Sequence, residues 1–183
     1  MTTEETILEI LKYTIPALVV MLTCYSIVQR FLNTQLRQKQ VEMLRENQEI
    51  TVRLRLQAYE RLALFVERSH PRNLIPRVYV QGMTVADLQQ ALFYNIKGEF
   101  EHNLSQQIYV TPGVWGLVRN VKEQEQNMIN SIAQQLPPDA PAKDLHMRIV
   151  DYVVGTEGEL PSEIALKAIN EEARRILSFG ALE

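Results

Sequence analysis

From Leu18 through His70 the chain contains neither glycine nor proline. These are the two residues that most strongly interrupt a helix interior, so the run permits one unbroken helix across the first third of the molecule. Elsewhere the sequence is rich in Leu, Ala, Glu, Gln, Lys and Arg, which lose little side-chain entropy on entering a helix. Apolar residues make up 46% of the chain, enough to supply a core. The fold class expected is all-α: an N-terminal transmembrane helix that continues into a long helix, followed by a compact bundle of about four or five helices.

The membrane expectation rests on Tyr13 to Gln29, YTIPALVVMLTCYSIVQ, seventeen residues without a charge. Ile7, Leu8, Ile10 and Leu11 before it, and Phe31 and Leu32 after it, extend the apolar helix to residues 7–32. A bilayer core of ~30 Å takes about 20 helical residues. Lys12 and Arg30 can snorkel to the two interfaces, and Tyr13 and Tyr25 suit the headgroup layers. The acidic start, with Glu4, Glu5 and Glu9, is unlike a signal peptide, and Thr23 before Cys24 is unlike a lipoprotein site. A buried helix of a soluble core is the competing reading of the same residues. Arg30, Arg37, Lys39, Arg45, Arg53 and Arg55 follow the span, whereas Lys12 is the one basic residue before it. Basic residues stay cytoplasmic, which puts residues 1–6 outside and the residues after the span on the cytoplasmic side of the membrane. The net charge of −3 argues against a nucleic-acid partner, and the single cysteine, Cys24, excludes an intrachain disulfide and a cysteine zinc site.

Residues 33–49 are mostly polar and read as a solvated juxtamembrane helix; Leu36, Val41, Met43 and Leu44 form no sustained heptad seam. From residue 50 the pattern changes. Val52, Leu56, Tyr59, Ala63 and Val66 recur at helical spacing, and Leu54, Leu62 and Phe65 widen the stripe, so a folded domain over 50–179 should bury this part. Pro71 should end the helix and PRNLIPRVYVQGM should be an extended connector. Thr84 and Asp87 form a capping-box variant at the head of a helix whose apolar face runs from Val85 through Phe100 to Leu104 and Ile108. Gly98 within it suggests close packing. Thr111-Pro112 opens the next helix, PPDAPAKD is a loop, a shorter helix ends near Gly155, and Pro161-Ser162 starts the last helix.

Two Glu-x-x-His pairs, Glu67/His70 and Glu99/His102, have the spacing of carboxylate-bridged di-metal sites in helix bundles, and Glu125 or Glu60 could add carboxylates. Helical geometry opposes this use. With Phe100 at zero and 100° per residue, Glu99 falls about 100° and His102 about 160° away from the apolar direction. The expectation is therefore no metal and no cofactor. Glu99 and His102 would be a surface pair, His70 a helix-end residue favoured when protonated, and Glu125, between Val121 and Met128, an ion-paired side chain. No phosphate-binding loop, dinucleotide fingerprint, Gly-x-Ser-x-Gly elbow or HExxH motif is present.

The blocks LRLQAYERLALFVER (54–68) and EFEHNLSQQIYV (99–110), with Trp115 shortly after and the N-terminal span before, resemble an uncharacterised family of small single-pass bacterial inner-membrane proteins. The resemblance implies a membrane anchor with a helical cytoplasmic domain, and carries over no activity, substrate or catalytic residue. Within the blocks, Arg53, Arg55 and Arg61 can meet Glu99 and Glu101, with Asn103, Gln106 and Gln107 adding amides, as a polar seam or a partner surface. The function expected is a membrane-anchored scaffold or adaptor that binds a protein partner or a second copy of itself. A carboxylate/histidine metal enzyme and a stator-like subunit of a larger membrane machine are the alternatives.

Overall fold

In a computed structural model, the described backbone covers residues 3–180, and the described side chains are those of residues 12, 14, 15 and 18–178. Within these limits the chain is all helical, with no strand. It divides into two units, residues 1–50 and 51–183.

The first unit belongs to α1, Thr3–Ser69. Every described side chain from residue 12 to 50 is exposed. Among the described residues no helix is long and apolar enough to cross a membrane. The span expected over 7–32 draws on the side chains of residues 7–11, Tyr13, Pro16 and Ala17, which lie outside the described set, and the structure gives it no support.

The second unit contains the end of α1 followed by α2 (Pro71–Val78), α3 (Val85–His102), α4 (Pro112–Ala133), α5 (Ala142–Gly155) and α6 (Pro161–Gly180). The helix starts follow local chemistry. At α3 the Thr84 hydroxyl accepts the Asp87 N–H while Asp87 Oδ2 accepts the Thr84 N–H at 3.0 Å, closing the capping box. These bonds hold the Asp87 carboxyl below the ordinary range, first through the Thr84 backbone and then through its hydroxyl. The other free amides at this end are taken up by the loop before α5: Val85 N–H donates to Ala140 and Ala86 N–H to Pro138. Gly82, at φ 93°, makes the turn into α3. Thr111 caps α4, with Pro112 in the first turn.

Three expectations are corrected. The segment after Pro71 is a helix, not an extended connector, because proline is well suited to a first turn and His70 supplies the cap. Pro76 is tolerated within these 8 residues, where it forgoes a single bond to the preceding turn. The α3 helix does not run to Ile108. It ends at His102, the Asn103 amide donates to the Glu99 carbonyl at 2.8 Å, and Leu104–Ile108 is a 3-10 turn that leaves Leu104 and Ile108 exposed. Gly98 is exposed, and a Cβ there would meet nothing within 4 Å, so close packing does not explain it.

Two apolar clusters form the core of this unit. One joins Tyr59, Leu62 and Phe65 of α1 to Val114, Val118 and Val121 of α4 and to Ala165 and Ile169 of α6. Phe100 lies against it, edge-on to Phe65 and stacked on Trp115 at 5.4 Å, with the Lys122 ammonium 5.0 Å from its ring centre. The other joins Leu74 and Ile75 of α2, Leu88, Leu92 and Ile96 of α3, Ile129 and Ile132 of α4, and Leu145 and Ile149 of α5. Among the described residues only α4 contributes buried residues to both clusters. The position where it passes from one to the other, between Val121 and Ile129, is Glu125.

Candidate functional site

Helical periodicity puts Glu125 on the buried face of α4, and its side chain is 8% exposed. Neither carboxyl oxygen has a hydrogen-bond partner among the described residues. Among the described residues the expected ion pair is not made, and no lysine or arginine lines the pocket that Glu125 borders. Burial pushes its pKa up to about 8, opposed by the neighbouring Ser69 hydroxyl. That hydroxyl is engaged elsewhere, donating to the Val66 carbonyl at 3.3 Å. At neutral pH Glu125 is therefore mostly a neutral acid, one of the two ways a buried carboxyl without a counter-ion is accommodated.

Glu125 lines a pocket of about 340 Å³ where α4 meets α5 and the starts of α2 and α6. Met128 and Ile132 of α4 and Val153 of α5 give it an apolar wall, and Ser162 of α6 a buried hydroxyl. His70 closes one side. Its Nδ1 accepts the Arg72 N–H at 3.2 Å, which caps α2 and leaves the ring proton on Nε2. Burial, followed by the Arg72 charge, lowers its pKa against the opposing pull of Glu67 and Glu163. The expectation of a protonated helix-end histidine is thus reversed: His70 starts α2 as a neutral acceptor rather than ending α1 as a cation. The opening of α6 is capped as well, the Leu160 N–H donating to Glu163 Oε2 at 3.0 Å.

Of the candidate metal ligands, only His70 and Glu125 share this pocket. Glu67 and His102 are exposed. Glu99 turns to the edge of α3, 2.7 Å from Arg68 Nη2 and 3.6 Å from Arg77 Nη2. Among the described residues no group of at least three His, Cys, Asp or Glu side chains is placed to hold a metal ion.

Along the α1–α3 edge the other arginines of α1 address backbone carbonyls. Arg55 donates to Tyr109 O at 3.2 Å and Arg61 to His102 O at 3.5 Å, at the turn after α3 and at the last residue of α3. The buried Asn103 and Gln106 are bonded locally, to Glu99 O and to Ser105 Oγ. Glu101 pairs with Lys97 on its own helix at 3.7 Å, and Arg53 and Gln107 are exposed. The pattern of sequence alone marked Glu125 and His70 singly. It missed the pocket, since Glu125 and Ser162 come to line one space only through the packing of separate helices, and it missed Ser69, which neighbours Glu125 from α1.

Comparison with curated proteins and with solved structures finds no significant match. A protein-family model does match, over residues 5–176, and so takes in both units and all of the pocket. On that match the chain belongs to DUF7935, a family of unknown function.

Proposed function

We propose that this protein is a bacterial inner-membrane adaptor, anchored by the uncharged stretch of α1, whose helical unit over 51–180 binds a protein partner on the cytoplasmic side. One observation carries the reading. From Leu18 to Leu32 the apolar side chains of α1 lie on all sides of the helix, with exposures from 52% at Leu32 to 63% at Tyr25. A helix that is apolar all round takes lipid or protein all round. The stretch is bracketed by Lys12 and Arg30. Its polar groups are compatible with lipid, since the Thr23 hydroxyl donates back to the Val19 carbonyl and the Gln29 amide to the Tyr25 hydroxyl. The basic residues that follow orient the larger unit inward.

The test is alkaline carbonate extraction of membranes from cells expressing the full chain, beside a variant lacking residues 1–33. The full chain is expected to stay with the membrane until detergent is added, and the shortened one to be released. Recovery of the full chain in the carbonate supernatant would end the anchoring reading. Crosslinking in native membranes followed by mass spectrometry tests the adaptor half, which predicts one dominant protein partner attached through residues 51–180.

A further inference from the structure

We propose that the pocket joining α4, α5 and the starts of α2 and α6 is a binding site for a small organic cation, an amine or amidine whose nitrogen pairs with the Glu125 carboxyl. This inference does not depend on the membrane anchor.

Three observations carry it. The pocket, about 340 Å³, falls within the ~300–1,000 Å³ usual for small-molecule sites, and its surface combines apolar patches with many polar side chains. Glu125 lines it, deeply buried, with both carboxyl oxygens unpartnered among the described residues and closed to water, so a ligand meets them once this side chain turns into the pocket. Native proteins leave few such groups, because each forfeits the hydration it had in water and gains nothing in return. The features that would otherwise draw an anion are partly taken up: His70 is neutral and caps α2 through Nδ1, and the amide end of α6 is capped by the Glu163 carboxylate.

The sign of the ligand follows from the lining. No lysine or arginine reaches the pocket, and Glu125 is its one carboxyl group. Near its His70 side the charges that act on that ring are the carboxylates of Glu67 and Glu163 and the guanidinium of Arg72, a net negative set. A cationic nitrogen supplies the two things Glu125 lacks, a counter-charge and hydrogen-bond donors to its oxygens. A metal ion is a poorer fit, since among the described residues that line the pocket His70 and Glu125 are the one imidazole and the one carboxyl, and His70 Nδ1 is already occupied. On binding, the carboxylic acid gives up its proton to solvent as the ammonium takes its place, so that charge balances inside the pocket.

The experiment is isothermal titration of the full chain, in non-ionic detergent at pH 7, with benzylamine, benzyl alcohol and benzoate, and with agmatine as a second amine. An amine is expected to bind saturably, with release of about one proton when buffers of different ionisation enthalpy are compared. The alcohol and the benzoate are expected to bind roughly tenfold or more weakly. Glu125→Gln keeps the shape and removes the charge, and is expected to lose amine binding by a similar factor. Ser131→Trp, at an exposed position of α4 on the rim, is expected to block the pocket without changing the thermal melt. The proposal is overturned if neither amine saturates, if benzoate or benzyl alcohol binds as tightly, or if a folded Glu125→Gln chain keeps its affinity.

Discussion

The two polar regions of the helical unit handle charge in opposite ways. At the α1–α3 edge, Arg55, Arg61, Arg68 and Arg77 are partly or largely open to solvent, and each has an acceptor, whether a carbonyl or Glu99. At the junction of the two clusters, the buried Glu125 carboxyl has no hydrogen-bond partner among the described residues. The edge can be built from pairs because water screens whatever is left over, which also keeps each pair weak. The junction has no such latitude, and the acid there either holds its proton or awaits a partner. Satisfied polar groups at an edge explain how a fold is held in register. An unsatisfied one inside marks where stability has been given up, and such places are good candidates for function.

The largest effect that would sharpen this contrast lies in the pH dependence of stability. A carboxyl whose pKa rises from 4.5 to about 8 on folding keeps a proton that the unfolded chain has lost. Stability should therefore fall as pH rises between these values and level off above them, by roughly 5 kcal/mol for the full shift. Urea denaturation at pH 5 and at pH 8.5 measures it, and Glu125→Gln should abolish most of the slope and stabilise the protein at pH 8.5. A wild-type chain no less stable at pH 8.5 than at pH 5 would erase the distinction between junction and edge. His70 acts in the other sense at lower pH: its folded pKa lies below 6.5, so its contribution is present above that value and is lost as pH falls.

Next in size is Asn103→Ala. Its side-chain amide ties the end of α3 to the following turn from a buried position, and its loss should cost about 1–3 kcal/mol in thermal or urea unfolding. Arg61→Ala removes a longer, more exposed bond to the His102 carbonyl and should cost about 0.5–1.5 kcal/mol. Arg68→Ala should be the smallest, about 0–1 kcal/mol and diminishing with added salt, because Arg68 is half-exposed and Arg77 remains beside Glu99. A loss at Arg68 larger than that at Asn103 would mean that the edge is a buried network rather than a screened one.

How much of this could be read from the residues depended on whether the governing interaction was local. The starts of α3, α4 and α6 were legible at Thr84, Thr111-Pro112 and Pro161, since a cap and a first-turn proline act within a few positions of themselves. The same proline logic misread the segment after His70, where Pro71 both ends one helix and begins another. The stop at His102 was hidden because the spacing of Phe100, Leu104 and Ile108 continues on paper while the backbone tightens into a 3-10 turn. Periodicity singled out Glu125 as an acid on an apolar face. Whether a cation would meet it depends on which helices close around α4, and spacing along one helix carries no record of that.

Because α4 is shared by both clusters, neither can loosen without the other still gripping this helix. Its middle turns, around residues 121–129, should then give up their amide hydrogens only in the rarest and most complete openings of the unit. The most protected stretch of backbone would run directly past its least contented side chain. A ligand settling on Glu125 would act on the part of the molecule through which both halves are coupled.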